Sequence, residues 1–246
     1  MPYRVVVAWA ALVGGPTGYG MSRLSATHRY TVPIALFFVT RVGSITADIS
    51  QSATVADWQC MKSKGVDAAI VRAWHSYGAP DTSAPASLLA ARQAGIQSTD
   101  VYLFPCSSMD AAAQVNGTVA SLASAGAATM YSTIWLDIET NPSTNCGWAD
   151  DLQKNCDYIS QLIAAASDAG VACGVYASHY EWRNVAGLSC DVGKALPLWY
   201  AHYDGNASCG DFGTLPFGGW DRPAMKQYND TLGEGCAPGA DVSVRC

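Results

Sequence analysis

The segment TIWLDIE, residues 133–139, combines a short apolar run with two carboxylates at its carboxyl end. A run of this length rich in apolar, β-branched and aromatic residues is typical of a buried strand. An Ala-rich stretch with helical periodicity follows at residues 150–169, ends at Gly170, and leads into a second apolar segment at residues 172–177. Strand, helix and strand in succession predict a parallel β-α-β unit, and therefore an α/β fold.

The same alternation extends through the rest of the chain from residue 44. Predicted strands at residues 44–50, 68–74 and 101–104 are each followed by a predicted helix, at residues 55–64, 85–94 and 110–125. A short helical stretch at residues 180–185 is followed by three further strands, at residues 196–202, 224–228 and 241–244, in Gly- and Pro-rich surroundings. We predict one domain, a TIM-like (β/α)5(β)3 barrel with a parallel sheet over residues 44–246.

Composition and charge restrict the class of protein. Of the 246 residues, 50% are hydrophobic and 14% are charged, which indicates a globular chain with a sizeable core. All 20 acidic residues lie at or after Asp48, and residues 44–246 hold only ten of the 14 basic ones. Because nucleic-acid binding requires clustered Lys and Arg, we expect no nucleic-acid partner.

The first 43 residues have the features of a targeting segment. Apolar runs at residues 5–13 and 31–39 each follow basic residues and are too short to span a bilayer. A signal peptide is the expected interpretation; a signal anchor, or a misassigned start with Met21 as the true one, are alternatives. Nine cysteines without metal-ligand spacing predict disulfides, in a pairing that the sequence leaves open, with one cysteine left over. With three Asn-x-Ser/Thr sequons, these features predict secretion or delivery to a lysosomal or phagosomal lumen.

Carboxylates lie at the ends of three predicted strands. Asp48 ends the first, Asp137 and Glu139 end the fourth, and Asp241 lies at one end of the last. Positions 137 and 139 point to one face because side chains alternate along a strand. Two carboxylates in a partly dry cleft raise at least one pKa, as a general acid requires. The alternative is structural: one carboxylate caps the next turn and the other pairs with Arg72.

Seven short motifs, in order, resemble those of glycoside hydrolase family 25 lysozymes, most closely the nematode and amoeboid-protist members. They are ADISQ (47–51), AIVRA (69–73), VYLFP (101–105), WLDIE (135–139), GVYAS (174–178), PLWYA (197–201) and KQY (226–228). The resemblance covers residues 44–246. It implies a flattened barrel and N-acetylmuramidase activity, that is, hydrolysis of the β-1,4 bond between N-acetylmuramic acid and N-acetylglucosamine in bacterial peptidoglycan.

The resemblance also implies roles for the carboxylates. Glu139 is the expected general acid and then base, and Asp137 is expected to stabilise the transition state or to orient the substrate's N-acetyl group. Asp48 and Asp241 are expected to line the floor of the cleft; which group acts as nucleophile stays open. The family usually closes with Asp, any residue, Asn and an aromatic residue, whereas Val242, Ser243 and Val244 follow Asp241 here.

Aromatic side chains complete the predicted site, because the C–H face of a sugar packs on an aromatic ring. We expect Tyr102, Tyr176, Trp199 and Tyr228 to face the substrate. No two histidines are spaced i, i+4, so we expect no metal, and we expect no cofactor and a monomer. A catalytically silent peptidoglycan-binding module and a chitinase-like specificity are the alternative functions. For an active enzyme with a protonated Glu139, we expect maximal activity below neutral pH.

Overall fold

The computed structural model describes residues 43–231, 235–237 and 239–246. The predicted targeting segment, residues 1–43, lies outside the described residues apart from Gly43, so its assignment stays a prediction. Among the helices that the structure describes, none has the length and apolar character needed to cross a bilayer.

The strands and helices expected from the sequence are all present, with ends shifted by no more than three residues. The strands are β1 (Ile45–Ile49), β2 (Val66–His75), β3 (Ala79–Pro80), β4 (Ser98–Leu103), β5 (Thr133–Asp137), β6 (Ala172–Ser178), β7 (Leu198–Ala201), β8 (Met225–Asn229) and β9 (Asp241–Arg245). The helices are α1 (Val55–Ser63), α2 (Ala84–Gln93), α3 (Ala111–Ser124), α4 (Leu152–Asp168) and α5 (His179–Val185). The two-residue β3 and a 3₁₀ turn at Phe212–Thr214 are additional to the prediction.

Eight of these strands close into a barrel, in the order β1, β2, β4, β5, β6, β7, β8 and β9, with β9 pairing back to β1. Short β3 pairs only with β2, at the barrel's edge. The (β/α)5(β)3 prediction is confirmed, since five α-helices alternate with the first strands, and the described residues between the last three strands contain the 3₁₀ turn but no α-helix.

The direction of β9 differs from the prediction of a parallel sheet. The barrel strands β1, β2 and β4 to β8 pair parallel with one another, whereas β9 is antiparallel to both β8 and β1. The short β3 is antiparallel to β2. A parallel crossover needs about a dozen residues or more, usually with a helix, and the segment 230–240 is too short to supply one. Reversal of β9 brings its amino end, with Asp241, to the carboxyl ends of β1 and β8.

Alternation along β5 separates two layers of packing. Leu136 and Ile138 are fully buried in the core that includes the helices' inward side chains. Trp135 belongs instead to a cluster with Tyr176 and Trp199, on the inner side of the barrel. Asp137 therefore lies on the inner face, above a floor of aromatic rings.

Eight of the nine cysteines form disulfides, as the sequence predicts. The pairs are Cys60–Cys236, Cys106–Cys146, Cys156–Cys190 and Cys209–Cys246. Cys173, on β6, is the free thiol among the described residues.

Candidate active site

A cavity of about 310 Å³ opens at the carboxyl ends of the parallel strands and holds all four carboxylates singled out from the sequence. Asp48 is the next-to-last residue of β1 and lies opposite Asp241, the first residue of the reversed β9. Asp137 ends β5, opposite Tyr176 of β6, and Glu139 follows two residues later on the same side. The closed barrel is what brings together residues that lie almost 200 positions apart in the chain.

Burial dominates the electrostatics of this cavity. Asp48 and Asp137 are 7% and 5% exposed, and burial, with the charges of neighbouring carboxylates, raises both pKa values well above the usual range. Burial and then the charge of Glu181 raise the pKa of Glu139 to about 7. Burial likewise raises the pKa of Asp241. Glu139 therefore keeps a proton up to near-neutral pH and has the protonation state of a general acid.

Arg72 lines the cavity but does not form the ion pair that the structural alternative required. Its Nε lies 3.0 Å from Asp81 Oδ2, within hydrogen-bond distance. Asp137 Oδ1 is buried and has no hydrogen-bond partner among the described residues. A buried acceptor without a partner costs free energy, so this oxygen is suited to receive a donor from a bound molecule.

Gln227 connects two sides of the cavity through its amide group. Its Nε2 donates to both carboxylate oxygens of Asp48, each at 3.1 Å, and to Asp241 Oδ2 at 3.3 Å. Its Oε1 accepts from the Tyr176 hydroxyl at 2.6 Å. Gln227 thus joins Asp48, Asp241 and Tyr176 in one hydrogen-bonded network, a role that sequence reasoning missed.

Three of the four aromatic residues chosen from the sequence line the cavity: Tyr102, Tyr176 and Trp199. The rings of Tyr176 and Trp199 pack with centroids 4.4 Å apart. Tyr228 does not line the cavity, because Gln227 faces inward and the alternation of β8 turns Tyr228 to the opposite side. Met225 and Gln227 lie two positions apart on β8 and share its inner face. This alternation is the sequence signal that places Tyr228 on the other face.

The loop that follows Glu139 is fixed by two contacts. Glu181, in the first turn of α5, accepts from the Thr140 N–H at 2.8 Å and from the Thr140 hydroxyl at 2.7 Å, both on Oε2. Trp148 Nε1 donates to the carbonyl oxygen of Glu139 at 2.6 Å. Sequence reasoning also missed Glu181, since an acidic residue in a first helical turn is usual for its interaction with the helix dipole.

A second acidic group lies outside the cavity. His202, Asp204 and Asp211 are close enough together to hold a cation. The fully buried ammonium of Lys226 lies 2.7 Å from Asp204 and 2.9 Å from Asp211. This lysine supplies the positive charge there, so the group is an ion-pair cluster in which a buried lysine pairs with carboxylates near the surface.

Comparisons with known proteins agree with this architecture. A family model described as "Lysozyme-like protein 1" matches residues 41–228. The chain is 39% identical, over 85% of its length and 95% of the relative's, to "Probable GH family 25 lysozyme 2" of Dictyostelium discoideum. It is 33% identical to "Lysozyme-like protein 5" of Caenorhabditis elegans, over 80% of this chain and 88% of the relative.

A solved structure with the same fold is a family GH25 lysozyme from Aspergillus fumigatus. It superposes with a TM-score of 0.64 at 18% identity, over 82% of this chain and 93% of that one. At this identity the likeness shows the fold, while the family match and the curated relatives show the family. The chain therefore belongs to the family 25 glycoside hydrolases, the GH25 lysozymes.

Proposed function

We propose that this glycoside hydrolase is an N-acetylmuramidase that cleaves the β-1,4 bond between N-acetylmuramic acid and N-acetylglucosamine in bacterial peptidoglycan. The observation that carries the proposal is the convergence of Glu139, Asp137, Asp48 and Asp241 in one aromatic-lined cavity, where Asp137 has a buried oxygen without a partner. Burial raises the pKa of Glu139 there to about 7, the range that suits a general acid. The names of the relatives, lysozymes and lysozyme-like proteins, support the same substrate class.

The first chemical step uses the proton on Glu139. Glu139 donates it to the glycosidic oxygen as the bond from that oxygen to C1 breaks, so the leaving sugar departs as a neutral alcohol. Asp137 Oδ1 accepts the N–H of the substrate's acetamido group, which turns the acetamido oxygen toward C1. That oxygen bonds to C1 and spreads the positive charge over the resulting cyclic intermediate.

The second step reverses the role of Glu139. Its carboxylate removes a proton from a water molecule, whose oxygen attacks C1. The bond between C1 and the acetamido oxygen then breaks, which restores the acetamido group. The sugar keeps its anomeric configuration, Glu139 regains a proton, and one water is consumed. Asp48 and Asp241 lie beneath the site and accept hydrogen bonds from Gln227, so their oxygen atoms present dipoles that favour the positively charged intermediate.

Glu139→Gln tests this assignment, because glutamine keeps the shape of the side chain but cannot donate the acidic proton. We expect the release of reducing ends from purified cell walls to fall by about 10²–10⁴-fold. Asp168→Asn, an exposed carboxylate at the end of α4, is the control and should retain full activity. Equal release by wild type and Glu139→Gln would refute the assignment.

The alternatives give different results in the same assay. A peptidoglycan-binding module sediments with cell walls and releases no reducing ends, with or without Glu139. A chitinase-like enzyme releases ends from chitin oligosaccharides faster than from peptidoglycan.

We further propose that the protein is secreted or delivered to a lysosomal or phagosomal lumen, and that it acts as a monomer. The four disulfides support an oxidising compartment. Expression of the full chain in a eukaryotic host, with amino-terminal sequencing of protein from the medium, tests this. Retention of the full-length chain in the cytosol contradicts it.

A further inference from the structure

Tyr77 is an exposed aromatic residue beside the cavity that holds the four carboxylates, and the mechanism above does not use it. Tyr77 is 58% exposed, whereas its neighbour Ser76 lines the cavity. Both belong to the tight turn that joins β2 to β3 at the mouth of the barrel. A single exposed aromatic residue is ordinary on a protein surface, so its meaning depends on how its ring is held and what passes over it.

The Tyr77 ring rests on a second ring. It stacks on the imidazole of His75, with ring centroids 4.6 Å apart and an angle of 15° between the planes. His75 is held in turn by Asp81, a buried carboxylate whose Oδ2 lies 3.5 Å from His75 Nε2. One face of the tyrosine is therefore covered by the imidazole, and the other is open to solvent.

The turn that carries Tyr77 is closed by a backbone hydrogen bond. The N–H of Gly78 donates to the carbonyl oxygen of His75 at 2.9 Å. Gly78 has a φ of 88°, in the left-handed region that favours glycine. The backbone of the turn thus places Tyr77 directly over His75, the residue on which its ring stacks.

The same turn is joined to the loop that follows Glu139. Ser76 Oγ lies 2.8 Å from Ser143 Oγ, and Asn141 Nδ2 donates to the carbonyl oxygen of Ser76 at 2.8 Å. Asn141 Oδ1 accepts from the Ser143 N–H at 2.7 Å. These contacts hold Tyr77 at a constant position relative to Glu139.

The order of the strands determines where a bound glycan leaves the cavity. Around the barrel the order is β1, β2, β4, β5, β6, β7, β8 and β9, so β5 and β9 are four places apart, as are β2 and β7. Asp137 and Glu139 reach the cavity from the end of β5, and Asp241 reaches it from the start of β9. A linear glycan held between these carboxylates therefore leaves toward β2 on one side and toward β7 on the other.

The cavity encloses only part of such a polymer. Its volume of about 310 Å³ is at the lower end of the roughly 300–1,000 Å³ that hold a drug-sized ligand. A glycan of many sugars must then extend past the edge of the cavity. On the β2 side, the surface that it meets carries the open face of Tyr77.

We propose that Tyr77 is a substrate-binding residue outside the cavity, whose open face stacks on the C–H face of a sugar beyond the two that flank the cleaved bond. A tyrosine ring offers apolar area at a low cost in conformational entropy, and the stack on His75 orders this ring before the glycan binds. The contact favours long glycans over short fragments as substrates. This inference rests on the proposed function and extends it to the length of the substrate.

The dependence of activity on glycan length tests the proposal. The substrates are oligosaccharides from peptidoglycan, from the shortest that the full-length wild-type protein cleaves to long glycans. Tyr77→Ser should lower kcat/KM about three- to tenfold for the long glycans and leave the value for the shortest within about twofold. Tyr77→Phe, which keeps the ring, should retain the wild-type values at every length. Equal losses at all lengths, or no loss for the long glycans, would overturn the proposal.

Two further variants separate stacking from a defect in folding. Leu89→Ser, at an exposed apolar residue on the outer helix α2, is the control and should not change the dependence on length. Tyr77→Leu keeps apolar volume against His75 but has no flat face, so it should show the same loss as Tyr77→Ser for long glycans. If circular dichroism shows that Tyr77→Ser is not folded, Tyr77→Leu decides, and a wild-type preference for long glycans in that variant contradicts stacking.

Binding measured without hydrolysis keeps this inference distinct from the proposed function. In the Glu139→Gln background, calorimetry gives the affinity for the same oligosaccharides, and Tyr77→Ser should weaken the binding of long glycans about three- to tenfold. A wild type that binds these glycans but releases no reducing ends would refute the proposed function and leave this measurement to decide the role of Tyr77. Equal affinity for long glycans with and without the tyrosine ring would overturn the inference even for an active enzyme.

Discussion

The negative charge of Glu181 raises the pKa of Glu139. The same carboxylate also holds the backbone beside Glu139, by accepting hydrogen bonds from Thr140. Both hydrogen bonds from Thr140 go to a single carboxylate oxygen, Oε2. Glutamine has one such oxygen, so Glu181→Gln keeps the two hydrogen bonds and removes only the charge. This substitution separates the electrostatic contribution of Glu181 from its structural one.

We expect Glu181→Gln to lower the pKa of Glu139, because the charge of Glu181 is the largest contribution after burial. The alkaline limb of the kcat/KM profile should move to lower pH by on the order of one unit. Activity at pH 5 should stay the same, while activity at pH 7.5 should fall several-fold. The measurement is a pH–rate profile, with Asp168→Asn as control; an unmoved limb would show that the charge of Glu181 does not reach Glu139.

Residues of the cavity differ in how far the sequence could predict them. Asp48, Asp137 and Glu139 could be found, since a carboxylate at the end of an apolar strand is conspicuous. Gln227 could not, because a neutral amide has no charge pattern, and its importance comes from partners that lie 14, 51 and 179 positions away in the chain. The aromatic character of Tyr228 predicts contact with a sugar, but the alternation of β8 places Gln227 on the inner face in its stead.

Among the elements, strand and helix identity followed from periodicity, but strand direction did not. The reversal of β9 depends on the length of the connection from β8, and β3 is too short for its two residues to show a pattern. The disulfide pairing could not be predicted either. It depends on which loops the closed barrel brings together.

Two disulfides close loops of nearly equal length in different parts of the barrel. Cys106–Cys146 joins the segment after β4 to the loop that follows Glu139, with a sequence separation of 40. Cys209–Cys246 ties the carboxyl terminus to the segment after β7, with a separation of 37. By loop-closure entropy each contributes about 4 kcal/mol to the free energy of unfolding.

We therefore expect double Cys→Ser variants of the two pairs to lose similar thermal stability but different amounts of activity. Removal of Cys106–Cys146 frees the loop that carries Glu139 and should reduce kcat/KM at least about tenfold at a temperature where the protein is folded. Removal of Cys209–Cys246 should leave kcat/KM within about twofold. Thermal unfolding and cell-wall hydrolysis of both variants are the measurements, and equal losses of activity would contradict a specific role for the first disulfide.

For the molecule as a whole, the acidic groups of the cavity and those of the ion pairs affect the free energy of unfolding in opposite directions as pH changes. Burial raises the pKa of Asp48, Asp137, Glu139 and Asp241 in the folded state, so ionising them costs stability. The pKa values of Asp81, Asp204 and Asp211 are among those that are lowered instead, because hydrogen bonds with Ser83, Lys226 and His202, respectively, outweigh burial. The first group favours acidic conditions and the second opposes strong acid.

The sign of the pH dependence follows from proton uptake in the two states. Between about pH 4 and pH 7 the unfolded chain has already released protons that the folded cavity still binds, so the free energy of unfolding falls as pH rises. For Glu139 alone, with a pKa of about 7, the loss is on the order of 3 kcal/mol. Below about pH 4 the ion-paired aspartates become protonated and stability falls again. Maximal stability is therefore expected near pH 4–5.

Thermal unfolding measured from pH 3 to pH 8 tests this expectation. The midpoint should fall by about 5 °C or more between pH 5 and pH 7.5, since a domain of this size changes by about 2–4 °C per kcal/mol. Glu139→Gln, which cannot ionise, should flatten this decline without changing the loss below pH 4. A wild-type midpoint that rises between pH 5 and pH 7.5 would mean that the cavity does not hold its protons. That result would also exclude a protonated Glu139 in the resting enzyme, because the acid form of Glu139 and the decline of stability with pH depend on the same bound proton.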